Sequence, residues 1–188
     1  MISRVRFVLG AASSLAALPL AARAADRKPK PQASDEPHVH GSNGITRIPE
    51  HRTVEWKMEV LDGPEFRLSA YRGKAVFVNL FATWCGPCRV EQPTVVAFAR
   101  AHPDDTAVVG VDIQEEDDTV RAYRKKFAIP YPIAMHRNRF SVPAVFKEQT
   151  LIYPTTLVFR PDGTLSCAWM GDQEREWFEA EREFALSS

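Results

Sequence analysis

Two cysteines separated by two residues, Cys85-Gly86-Pro87-Cys88, are the side chains of this 188-residue sequence best suited to chemistry. Their spacing admits two uses, half of a tetrahedral zinc site or a dithiol that cycles with its disulfide. Zinc would need a second C-x-x-C or a closely spaced downstream histidine pair, and the sequence has neither. Redox exchange depends on what surrounds the pair. Residues 75–82 are almost continuously apolar and end just before the motif, and Pro87 suits the first turn of a following helix, where its missing N–H would have no partner. A sulfur at such a strand-to-helix turn faces unpaired backbone N–H groups and the positive end of the helix dipole, which favours thiolate. Cys85 is therefore the expected nucleophile. Cys88, one turn deeper on the same side, is close enough to form a small disulfide with it and to resolve a mixed one.

Other candidates are weaker. Glu91 lies three positions beyond Cys88, so it is either a carboxyl near the buried sulfur that exchanges its proton or a solvated first-turn acid favoured by the dipole. Cys167, between Ser166 and Ala168 in an apolar run, reads as a buried inert thiol, and Trp169 as core or rim. His136, flanked by Arg137 and Arg139, reads as an exposed loop histidine. His38 and His40 supply only two ligands on a polar stretch, half of an ordinary site. No metal and no cofactor are expected.

The positioning elements follow from pattern. Residues 54–60 alternate apolar and polar, Leu61-Asp62-Gly63-Pro64 has turn chemistry and residues 65–68 begin a second strand, which together predict an N-terminal hairpin. The run at 75–82 is a central strand. A helix over about 87–101, kinked but not ended by Pro93, and a strand over 106–113 complete a βαβ unit. The next helix starts at Asp117 and Asp118 and ends at Arg124, Lys125 and Lys126, with Val120, Tyr123 and Phe127 on one face. Residues 131–135 fit a short edge strand. Strands 156–159 and 165–169 form a hairpin through Arg160-Pro161-Asp162-Gly163, so the sheet must be mixed. Asp172 is expected to cap a last helix that buries Trp177, Ala180 and Phe184. The fold class is α/β, a central mixed β-sheet with helices on both faces and an N-terminal β-hairpin extension.

Composition narrows the partners. Lys plus Arg equals Asp plus Glu at 24 each, which gives no basic surplus for nucleic acid. Residues 1–24 combine Arg4 and Arg6, a weakly apolar run over 7–22 and Ala22-Arg23-Ala24, the pattern of a signal peptide cleaved after Ala24; an uncleaved membrane anchor is the rival. Cleavage removes three arginines and no acid, leaving the mature protein about three charges negative. Residues 25–51 read as a flexible polar linker and 52–188 as one domain. Export places the chain in an oxidising compartment such as the periplasm, with membrane contact only if the signal segment is retained.

Trp84-Cys85-Gly86-Pro87-Cys88 after an apolar strand, Pro93 five positions on, and Tyr153-Pro154-Thr155-Thr156 before a later strand resemble the thioredoxin superfamily over residues 54–186. Within it the chain is similar to the TlpA/ResA type of exported reductants, on its signal segment, its extra N-terminal strands and Cys88-Arg89-Val90-Glu91-Gln92-Pro93. The resemblance implies a thioredoxin-like fold and a cis proline at Pro154. It also implies a substrate-binding surface including Trp84, Tyr153, Pro154 and Thr155, and a proton-transfer role for Glu91, since Asn79 stands where thioredoxin has a buried aspartate. The expected activity is thiol-disulfide exchange through a Cys85-Cys88 disulfide, most simply reduction of disulfides in exported proteins. The resemblance further implies a membrane thiol electron donor and clients such as apocytochrome c or copper-site cysteines. Three other uses stay open: a periplasmic copper chaperone on the same thiols with His136 or His38, a disulfide oxidase or isomerase, and an interaction module with a merely structural disulfide. Residues 135–150 have no counterpart from which a client surface can be inferred.

Overall fold

The computed structural model describes residues 45–47, 55–137 and 152–187. The expected signal segment, His38 and His40, and Arg139 lie outside them.

Seven fully buried residues, Ala75–Phe81, form the central strand β4 of a six-stranded mixed sheet. The other strands are β1 (Ile45–Arg47), β5 (Thr106–Ile113), β6 (Ile133–His136), β7 (Thr155–Phe159) and β8 (Leu165–Met170), in the order β1-β8-β7-β4-β5-β6. β4, β5 and β6 are parallel, whereas β7 runs antiparallel to β4 and β8 antiparallel to β7. The β7–β8 turn needs Gly163, whose φ is +80° and whose missing Cβ makes room for the Arg72 guanidinium. Strand β1 lies inside the stretch read as flexible linker. Ile45-Thr46-Arg47 is β-prone, and the open edge of β8 offers it antiparallel partners.

Helix α1 spans Gly86–Ala101 and continues through Pro93. Helix α2 spans Asp117–Phe127, with two acids in its first turn, three bases in its last and Ala128 in the left-handed conformation just beyond. Helix α3 spans Arg175–Leu186. Its start and face differ from expectation. Glu174, not Asp172, is the N-cap residue, without a side-chain cap, so the helix turns by about one residue and buries Phe178, Glu181 and Ala185 in place of Trp177, Ala180 and Phe184. The spacing was right and the phase was not.

All three described helices contribute to one core cluster, where Phe77, Phe98, Trp169 and Phe178 meet in edge and tilted ring contacts. The physical reason is topological: β4, β5 and β6 advance in one direction across the sheet, and right-handed crossovers then put α1 and α2 on the same side. On the other side the described cover is the hairpin β2 (Lys57–Met58) and β3 (Phe66–Arg67), a 3₁₀ turn at Leu68–Tyr71, and Trp56, rather than an α-helix. The hairpin is shorter than the sequence suggested, because the chain from Glu59 to Leu61 leaves it to pair with β6 through Met135 N–H to Glu59 O and Leu61 N–H to Ile133 O, both 2.8 Å. That pairing covers the β6 edge.

Candidate active site

β4 stops at Phe81 and α1 starts at Gly86, so Cys85 falls at the helix N-cap in extended backbone (φ −70°, ψ 118°). Its sulfur accepts the Cys88 N–H at 3.2 Å, one of the donors a helix start leaves unpaired. Cys85 and Cys88 form a disulfide with Cα atoms 5.3 Å apart. Cys88 is buried one turn into α1, while the preceding Trp84 is 65 % exposed. In the reduced state the same Cys88 N–H would donate to a thiolate, a stronger bond than to a neutral sulfur.

The second motif comes to the first through sheet pairing. β7 aligns Thr155 with Leu80 and Thr156 with Asn79, which sets the residues before β7 beside the end of β4. The Tyr153-Pro154 bond is cis, and the Tyr153 carbonyl oxygen lies 3.5 Å from the Cys85 sulfur. The Pro154 carbonyl accepts the Gly171 N–H at 2.7 Å and the Thr155 hydroxyl donates to Ile152 O, so both sides of the loop are held. Tyr153 is half-buried; Pro154 and Thr155 are buried.

Glu91 is only 2 % exposed, which rules out the solvated first-turn acid. One carboxyl oxygen accepts from Asn79 Nδ2 at 3.0 Å and the other from the Gln173 N–H at 3.1 Å. Asn79 also donates to the Thr156 hydroxyl at 2.9 Å, so it links Glu91 to the strand that follows Pro154. Burial pushes the Glu91 carboxyl up to about 7, against the lowering effect of these two hydrogen bonds and with a small upward push from Asp172. A group so poised is half-protonated near neutrality, as a proton donor and acceptor at that pH should be. Neither of its hydrogen bonds involves a cysteine sulfur.

Reading by motif missed the loop between β4 and Cys85. The Thr83 N–H and hydroxyl both donate to the Glu115 carboxylate at 2.5 Å, and Arg89 Nε donates to the Thr83 carbonyl at 2.7 Å. Asp112, buried in β5, accepts the Glu115 N–H at 3.0 Å. The available signal was an acid inside the apolar run Val109-Gly110-Val111-Asp112-Ile113. Gly110 in that run allows close packing, since a Cβ there would stand 3.0 Å from the Phe81 ring.

Three remaining candidates sit away from the dithiol chemistry. Cys167 is fully buried and its thiol donates to Glu181 Oε2 at 3.2 Å, and Trp169 is core. His136 is not an exposed loop residue: it ends β6 and is buried, because β5 extends to Ile113 opposite it. Among the described residues no three His, Cys, Asp or Glu side chains converge as a metal site would require.

Comparison with known proteins agrees with this geometry. The family model for the AhpC/TSA family matches residues 49–168. The thiol-disulfide oxidoreductase ResA of Bacillus thuringiensis subsp. konkukian is 26% identical over 152 residues, covering 74% of this chain and 86% of that protein. A thiol:disulfide interchange protein of the thioredoxin family from Chlorobium tepidum superposes with a TM-score of 0.59 at 26% identity, over 72% of this chain and 98% of its own. A secreted thiol-disulfide isomerase from Corynebacterium glutamicum shares the fold, with a TM-score of 0.65 at 17% identity over 80% of this chain and 96% of its own. With a Cys85-Cys88 disulfide at a helix start facing a cis-proline loop, and with the family model matching most of its described length, the chain belongs to the AhpC/TSA family as a thiol-disulfide oxidoreductase of thioredoxin-like fold.

Proposed function

We propose that the protein is a reductant of disulfides in other exported proteins. The observation that carries this reading is the approach of the Cys85 sulfur to the Tyr153 carbonyl, which gives an incoming disulfide a nucleophile and an adjacent backbone edge to pair with. The Cys85 thiolate attacks one client sulfur; the client S–S bond breaks, its second sulfur leaves with the electron pair, and a mixed disulfide forms. Cys88 then passes its proton to Glu91, one turn along α1, and attacks the Cys85 sulfur, which releases the first client sulfur as thiolate. Two electrons move from the dithiol to the client, and the Cys85-Cys88 disulfide remains.

Trp84, Tyr153, Pro154 and Thr155 would form the client-facing rim. Recharging needs an outside dithiol, and a membrane thiol carrier fits a protein delivered by the segment 1–24 to an oxidising compartment. Among the described residues no helix is long and apolar enough to cross a membrane. Apocytochrome c thiols and copper-site cysteines are the proposed clients.

The reduction potential tests the direction. We expect a value nearer thioredoxin's roughly −270 mV than the roughly −120 mV of a strong oxidant; one above about −160 mV would make the protein an oxidase or isomerase. Copper uptake by the reduced but not the oxidised protein, with no exchange activity, would replace catalysis by metal carriage.

A further inference from the structure

Residues 82–84 have left β4 and not yet entered α1, so the backbone just before the nucleophile has no strand ladder of its own. Side chains hold it instead. Glu115 takes both donors of Thr83, the amide and the hydroxyl, and Arg89 takes its acceptor. Glu115 follows the end of β5, which pairs with β4 up to Phe81 and Asp112, so its backbone is fixed to the same sheet that ends beneath the loop. Asp112 anchors Glu115 from below by accepting its N–H, and the carboxyl groups of the two residues also interact with each other. The other Asp112 oxygen is fully buried and accepts no hydrogen bond among the described residues, and burial together with the nearby Glu115 raises the Asp112 carboxyl.

We propose that Glu115 is a positioning residue for thiol exchange: by clamping Thr83 it fixes the Trp84-Cys85 segment against the Tyr153-Pro154 loop, with Asp112 as the buried support of the clamp. The clamp does not touch the reacting sulfurs. It acts through Thr83 on where Trp84 stands, and Trp84, largely exposed beside Cys85, is the group a docking client meets first. Loss of the clamp therefore affects client binding before it affects the intrinsic reactivity of Cys85, which the Cys88 N–H and the α1 terminus supply. This inference rests on the exchange reading above.

The test uses the full-length mature protein, a peptide disulfide as client and iodoacetamide as a small probe of the reduced thiol. Glu115→Ala should raise KM for the peptide about tenfold, with kcat and the Cys85 alkylation rate within about twofold of wild type. Glu115→Gln, which keeps an acceptor, should recover most of the loss. Thr83→Val removes only the hydroxyl and keeps the shape, so it should give a smaller rise on a protein that folds as wild type does. The double variant Glu115→Ala with Thr83→Val should be no worse than Glu115→Ala alone, as expected if the two residues act as one unit. An unchanged KM in Glu115→Ala and Thr83→Val, or additive losses in the double variant, would overturn the clamp. If the wild type itself fails to reduce the peptide, the exchange reading fails instead, and the two failures are thus distinguishable.

Discussion

Glu91 shows how one side chain's surroundings set its chemistry. Held in the folded protein at about 7 and in an unfolded chain near 4.5, it keeps a proton between those values that the unfolded chain has released. The Glu91 contribution to stability is therefore fully present below about pH 4.5, falls as pH rises towards 7, and is gone above; it is on the order of 3 kcal/mol. Glu91→Gln should abolish this slope, so denaturant midpoints of the oxidised wild type and variant should diverge between about pH 5 and 8. Parallel curves would mean that Glu91 ionises in the folded state as it does in solution. The same substitution should slow exchange by roughly ten- to a hundredfold, since general acid-base assistance is typically worth 10²- to 10⁴-fold. Stopped-flow exchange at several pH values checks it, and a rate that ignores the substitution would leave Cys88 to another base. Asn79 also matters at this scale: its amide joins Glu91 to Thr156, where an aspartate would place a second acid against the first.

At the scale of elements, α1 makes its two cysteines unequal. The first caps the helix and accepts an N–H at its start; the second lies a turn inside and is almost fully buried. We expect alkylation of reduced protein to report a Cys85 thiolate well below the ordinary cysteine value of about 8.5 and a Cys88 thiol that stays unreactive until well above it. Cys88→Ser should accordingly trap clients as mixed disulfides through Cys85, whereas Cys85→Ser should trap few; equal trapping on non-reducing gels would reverse the assignment of nucleophile and resolver. α3 carries a different lesson. Its apolar and buried positions keep helical spacing, but a cap at Glu174 sets which line faces the sheet, and Phe178 rather than Trp177 meets Phe77 and Trp169.

Across the whole molecule, the helical face of the sheet is tied together by Phe98. Its ring is fully buried, 4.8 Å from Phe77 of β4 and 5.4 Å from Phe178 of α3 between centroids. Phe98→Ala should cost about 3–5 kcal/mol, because the space is bounded by three elements that cannot collapse together. A loss of less than about 1 kcal/mol in urea unfolding would show that the core closes over the gap. The opposite face depends on the N-terminal segment. Trp56, Met58, Phe66 and Leu68 cover Val76, Val78 and Leu80, and Glu59 to Leu61 pairs with β6. Arg121 of α2 grips the Asp62 carboxylate beside that turn, and their hydrogen bonds lower its pKa. Removal of the hairpin should thus expose the β6 edge and promote self-association, which light scattering would detect.

Local signals in the sequence determined what is local in cause. The order of strands and helices, the turn at Gly163 and the placing of Cys85 at a strand-to-helix junction follow from apolar periodicity, turn residues and helix-end chemistry, each acting over a few neighbours. Glu91 could be singled out by its spacing from Cys88, but its burial could not, because the cover comes from Gln173 and Asn79, residues distant in sequence. Only the tertiary structure decided which face of α3 is buried, which layer covers the second side of the sheet and what holds Thr83. These depend on strand order, crossover hand and contacts spanning 32 residues in the case of Thr83 and Glu115. A periodic pattern records that a residue is buried; the partner that satisfies a buried polar group is chosen by the packing of the whole chain.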